Sequence, residues 1–200
     1  MTPPEADIDA RPRSEGEAAS MSAASTARPA PAATGPRAAL RRIAPAVGLF
    51  CLAPLVAEFL LGNISIDQWP SLIVLAPLYG GAAVLIRESV RRAGRGWPSI
   101  LLLGLAYGIV EEGLVTQSLF NPGYVGADLL RVTFVSWLGI GVWWTLFVLT
   151  LHTVWSVSVP IALVEALTPR RRTTPWLGPV GLIVAALLFV VGAAAVAFGT

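Results

Sequence analysis

The sequence is short of charge, cysteine and histidine, and each shortage narrows what the chain can be. Only 13% of its 200 residues are charged and 55% are hydrophobic, about half the charge of an ordinary soluble domain, which points to a membrane protein. A single cysteine, Cys51, lies in an apolar run. That excludes a disulfide framework or a multi-cysteine metal site within one chain and leaves the residue as a small hydrophobe. Lysine is missing: all 14 basic residues are Arg, set in short blocks between apolar segments. Nowhere do they form the aromatic-interleaved stripe of a nucleic-acid interface, so no nucleic-acid partner is expected. H-E-x-x-H, G-x-S-x-G and a phosphate-binding glycine loop are all missing as well.

Residues 1–37 contrast with the rest. They are rich in Ala, Pro, Ser, Arg and acidic residues and carry few large apolar side chains. Such a segment buries too little surface to offset its ordering entropy, so a disordered cytoplasmic tail is expected there. It does not read as a signal peptide, because the first apolar run starts only after Arg41-Arg42.

The remainder, 38–200, reads as an all-α polytopic transmembrane bundle. A hydrocarbon core about 30 Å thick needs about 20 mainly apolar helical residues. Spans are expected at about Ile43–Leu61, Trp69–Ile86, Trp97–Phe120 and Trp176–Phe198. The apolar stretch from Val132 to Leu167 is too long for one span and short for two. An outer-surface helix near Leu129–Trp137 followed by a span from about Gly139 to Leu167 resolves it. Arginine placement supports that choice. With five spans, Arg37, Arg41 and Arg42, then Arg91, Arg92 and Arg95, then Arg170, Arg171 and Arg172 all fall on one side. The positive-inside rule makes that side cytoplasmic, with the amino terminus in and the carboxyl terminus out, in the cell inner (plasma) membrane. Trp69, Trp97 and Trp176 open spans where an indole suits the headgroup boundary. Gly104, Gly108 and Gly80-Gly81 mark packing seams, and Pro54, Pro77 and Pro160 are placed to kink helices or free carbonyls.

Within this apolar frame, Glu111 and Glu112 stand side by side in the third span. Ionisable groups at membrane depth are costly and tend to mark polar sites. Neighbouring helix positions point about 100° apart, so at least one of the two must face protein or trapped water. Helix rise puts Glu112 roughly 22 Å from the arginine edge, and His152 and Glu58 roughly 24 Å. Three polar residues on three spans thus share one level. Thr145, His152 and Ser156 follow one face of the fourth span, and Trp155 is placed to cover the histidine. In the third span Glu112 shares a face with Gly108 and Thr116, Glu111 stacks over Tyr107, and Gln117 and Asn121 carry polarity to the outer surface. A polar cavity open to that side follows, with Glu111, Glu112 and His152 as its chemistry and Glu58, Thr116, Gln117, Thr145 and Ser156 as binding residues. Glu58 reads equally as a side chain reaching for the interface. Arg87 and Glu88 read as snorkelling at a helix end, and Glu165 as a partner for Arg170–Arg172. One histidine with carboxylates is a thin set for zinc, so no metal and no other cofactor is expected.

A Glu-Glu pair in a membrane helix followed by a histidine-bearing polar face resembles the CAAX prenyl endopeptidase and bacteriocin-processing family. Its motifs are written EExxxR, FxxxH and HxxxN. Glu111-Glu112 match the first pair, with Thr116 where the arginine stands, and His152 with Ser156 matches a loose third motif. The resemblance covers about residues 100–160. It implies a water activated by glutamate with histidine support, acting on a membrane-embedded or lipidated peptide among membrane lipids. The alternative is a non-catalytic membrane protein that binds a lipid, peptide or partner subunit through the same cavity. Proton-coupled transport is a third reading, weakened by five spans without an internal repeat.

Overall fold

The computed structural model describes residues 36–199, so the expected tail lies almost entirely outside the described residues. Among those residues five helices are long and apolar enough to cross a membrane: Leu40–Leu60, Ile66–Arg92, Trp97–Val115, Val142–Leu167 and Pro179–Gly199. Helices are the form lipid demands of a single apolar segment, because each satisfies its own backbone groups. Successive spans run in opposite directions, which gathers the arginine blocks at one end of the bundle.

The first span packs on the second and fourth, the third on the fourth, and the fifth on the second. Leu49, Ala53, Leu78, Ala83, Ile100 and Ile161 form the centre of the core. The fifth span is peripheral: 11% of its most apolar window is buried, against 39–44% for the other four. Its apolar remainder, including Val180 and Phe198, is exposed and suits acyl chains. Cys51 is exposed on the first span, as a lipid-facing hydrophobe would be.

Four of the five spans contain a π-helical stretch: Leu55–Leu60, Ala76–Gly80, Glu111–Val115 and Leu151–Ser158. Proline explains three of them. Pro54 precedes the first, Pro77 lies in the second and Pro160 closely follows the last, and each lacks the N–H that an α-helical ladder requires. Such wide turns re-aim side chains and recur at functional sites. The candidate polar residues of the first, third and fourth spans, Thr145 and those beyond Val115 apart, lie on them.

Five expectations need correction. Leu129–Trp137 is not a surface helix. Phe134–Val135 (β1) instead pairs antiparallel with Ile140–Gly141 (β2), with Phe134 opposite Gly141 and Val135 opposite Ile140. Val135 and Ile140 are β-branched, which favours extended backbone, and Gly139 at φ +68° serves the turn between them.

The third helical span stops at Val115 rather than Phe120. Gln117 adopts φ +59° and breaks the helix, and the Leu119 N–H then donates back to the Glu112 carbonyl.

The arginine end is not a snorkelling rim. Arg87 and Glu88 are fully buried, and the second helix continues through Arg92. Arg87 donates to Glu88 (Nη1–Oε1 2.5 Å), to Glu165 (Nε–Oε1 3.1 Å) and to the carbonyls of Arg171 and Arg172. Glu165 receives a two-pronged contact from Arg91, at 2.9 and 2.6 Å, rather than pairing with Arg170–Arg172. Trp176 does not open a span at the headgroups. It is 1% exposed, and its backbone N–H donates to Glu88.

Candidate functional site

The site forms where the π-helical stretches of the third and fourth spans face each other. Gly104 and Gly108 allow the approach: a Cβ on Gly108 would meet the His152 Cβ at 3.2 Å, and one on Gly104 the Thr153 carbonyl at 3.3 Å. Small residues on one helix thus set the imidazole of the other beside the two glutamates. His152 Nε2 lies 2.6 Å from Glu112 Oε1 and 3.0 Å from Glu111 Oε2. All three side chains are buried.

The two glutamates differ in how they are held. Glu112 Oε1 faces the imidazole, and its Oε2 accepts from Ser118 Oγ and, at 3.2 Å, from Thr116 Oγ1. Ser118 in turn accepts from the Trp144 indole N–H at 3.0 Å. Glu112 is therefore fixed by three neighbours. Among the described residues Glu111 Oε2, though 3.0 Å from His152 Nε2, has no hydrogen-bond partner of good geometry, and neither has His152 Nδ1 or the Tyr107 hydroxyl. Buried polar atoms without partners are uncommon and tend to have a functional explanation.

Two tyrosines enclose the imidazole. The Tyr79 ring stacks on it at 6.1 Å with a 16° interplanar angle, and Tyr107 meets it edge-on at 5.8 Å. Trp155, expected to cover the histidine, instead donates its indole N–H to the Val56 carbonyl at 2.8 Å and ties the fourth span to the first. The π-helical turn around His152 has rotated it away.

Glu58 is buried rather than reaching for the interface. It accepts from the Tyr79 hydroxyl and, at 2.6 Å, from Asn63 Nδ2. Through Tyr79 it joins the His152 cluster on the wall of one cavity of about 610 Å³. Thr116 and Ser156 also line this cavity, with Leu61–Ile64, Tyr124, Val125 and Leu129 from the end opposite the arginines. At that mouth burial, followed by the charges of Glu112 and Glu111, pushes the Tyr124 phenol above its ordinary value, which keeps it a neutral hydrogen-bonding group.

Gln117 and Thr145 do not belong to the cavity wall. Gln117 sits at the helix break, exposed, and its carbonyl accepts from Phe120 and Asn121. Thr145 turns its hydroxyl back to the Gly141 carbonyl four residues earlier, a local bond open to any helical threonine. Sequence reasoning missed Ser118, Tyr79, Asn63 and Trp144. A straight helix through Phe120 would carry Ser118 about 9 Å beyond Glu112, so only the break at Gln117 reveals it.

Chemically, the cluster offers a carboxylate whose Oε2 touches only the imidazole, a second carboxylate held by three neighbours, and an imidazole between them. It also offers ligand atoms. One from each of Glu111, Glu112 and His152 lies within 4.8 Å of the others.

No curated protein and no solved structure matches the chain. The model of one family does match, over residues 48–199, a stretch that contains the first span from Gly48 onward, the other four spans and the whole Glu111–Glu112–His152 cluster. Five helices long and apolar enough to cross a membrane agree with that match, and the chain belongs to the family it describes: an uncharacterized membrane protein family.

Proposed function

We infer that this multi-pass protein is an intramembrane hydrolase that cleaves a peptide bond in a membrane-embedded or lipidated polypeptide. One observation carries the reading: His152 Nε2 stands within 3.0 Å of carboxylate oxygens from both glutamates, on the wall of an open cavity. Glu111, less tightly held than Glu112, is the general base. It takes a proton from a water in the cavity as that water attacks the substrate carbonyl carbon. The oxyanion that develops accepts a hydrogen bond from His152, whose Nδ1 has no hydrogen-bond partner among the described residues. The proton held by Glu111 then passes to the departing amine. Glu112, engaged by Ser118, Thr116 and His152, keeps the imidazole oriented. The motif likeness to CAAX-type intramembrane proteases supports the same assignment.

The cavity opens at the end opposite Arg41-Arg42 and Arg170–Arg172. With those arginines on the cytoplasmic side of a plasma membrane, the substrate enters from the outer half of the bilayer. The test is cleavage of a panel of membrane-spanning and lipidated peptides in proteoliposomes. Wild type should cleave, and Glu111→Gln should slow turnover by about 10²–10⁴ while remaining folded. Equal rates for the two proteins refute the role of Glu111.

A second reading, binding without reaction, is favoured by the saturation of Glu112 and Glu58 with hydrogen bonds. Retention of a lipid or peptide by protein that cleaves no member of the panel would decide for it.

A further inference from the structure

We propose that the groove between the second, third and fifth spans binds one anionic phospholipid, with an acyl chain among the helices and the phosphate at Arg92 and Arg95. The groove encloses about 420 Å³ and is walled by Ile86 and Ser89, by Leu103, Ala106 and Tyr107, and by Phe189. It exists because these helices meet unevenly. Gly81 lets the second span touch the fifth, where an added Cβ would fall 2.9 Å from the Phe189 backbone nitrogen. The fifth span meets the third at Glu111–Val115, nearer the other end of the bundle. Helix rise places Ser89 roughly 5 Å and Tyr107 roughly 15 Å from the arginine end of their spans. The slot therefore runs along the membrane normal, as an acyl chain does.

Its mouth decides what fills it. Arg92, three residues beyond Ser89, lies on the same side of the second helix and reaches the Leu177 carbonyl at the foot of the fifth span. Arg95 follows in the connection to the third span, and both arginines are exposed. Their neighbours Arg87 and Arg91 are neutralised by Glu88 and Glu165. Among the described residues Arg92 and Arg95 have no carboxylate partner. Two uncompensated guanidinium groups thus stand over a hydrocarbon slot.

Hydrophobicity does not hold a lipid there, because bulk acyl chains are as apolar as the wall. Shape retains the chain and charge chooses the headgroup. Each arginine near a membrane surface favours an anionic lipid by about fivefold. The inference stands apart from any reaction at Glu111. The groove shares no wall residue with the candidate site's cavity, and Tyr107, edge-on to His152, stands between the two.

The experiment is native mass spectrometry of full-length protein released from nanodiscs of equal phosphatidylglycerol and phosphatidylethanolamine. One phosphatidylglycerol per chain should survive, preferred about tenfold or more. Arg92→Gln with Arg95→Gln should remove that preference. Arg170→Gln with Arg172→Gln, equal in charge but outside the groove wall, should leave it intact. Ala106→Phe fills the slot without altering charge and should abolish retention. Ala106 is exposed on the third span, so this variant carries the comparison should the Arg92 and Arg95 pair fail to fold. Equal retention of the two lipids by wild type, or equal losses from the two arginine pairs, overturns the proposal. Wild-type retention by Ala106→Phe overturns it as well.

Discussion

The guanidinium of Arg87 lies 3.4 Å above the ring of Trp176, and both side chains are almost completely buried. The arginine stands near the end of the second span and the tryptophan in the connection before the fifth. Their contact, extended by Glu88, Glu165 and Arg91, clamps the second span, the foot of the fourth and the 168–178 connection into one unit. The cluster contains two cations and two anions, so it is neutral while each member keeps a partner.

Removing Arg87 would leave Glu88 buried without its ion pair and weaken the hold on Glu165. Arg87→Ala is expected to cost about 3–5 kcal/mol, the usual penalty for orphaning a buried charge. Arg87→Lys should recover little of it, because an ammonium cannot reproduce the fork that serves two carboxylates and two carbonyls. Chemical denaturation in detergent measures both, and a wild-type midpoint for Arg87→Ala would show that the clamp contributes nothing to stability.

Helix approach at Gly80 makes a separate stability prediction. A Cβ there would fall 2.1 Å from the Phe50 carbonyl oxygen, backbone against backbone. Gly80→Ala should therefore force the first and second spans apart at a cost of about 1–3 kcal/mol. Gly48→Ala, where nothing lies within 4 Å, should be neutral or slightly stabilising. Thermal unfolding of the two variants side by side distinguishes them, and equal melting temperatures would contradict the packing described.

At the candidate site, Ser118→Ala removes a donor to Glu112 and the acceptor of the Trp144 indole without touching Glu111 or His152. If the chain hydrolyses peptides, kcat should fall about tenfold with KM little changed, as expected when an orienting neighbour is lost. An unchanged kcat would mean that Glu112 needs no such support.

Sidedness is measurable directly. In a Cys51→Ser background, Asp128→Cys should react with a membrane-impermeant thiol reagent in intact cells. Arg170→Cys should react only after permeabilisation. The reverse pattern would invert the bundle and place the cavity mouth in the cytoplasm.

The number of spans, their approximate places and the level shared by Glu112, His152 and Glu58 were all legible in the amino-acid order. Hydropathy over about 20 residues and a rise of about 1.5 Å per residue are local properties, read without knowing any neighbour. Glycine spacing likewise announced the seam at Gly104 and Gly108. What remained hidden depended on contacts between distant segments or on departures from regular helix. Arg87 and Glu88 lie at a helix end and resemble interfacial residues until Trp176 and Glu165 close over them. Ser118 becomes a partner of Glu112 only because the chain reverses at Gln117, and Trp155 leaves His152 only because a π-helical turn rotates its face. Nor does sequence spacing distinguish Glu111 from Glu112. The packing of Ser118, Thr116 and Trp144 makes that distinction, because a carboxylate's role follows from which of its oxygens the fold has already engaged.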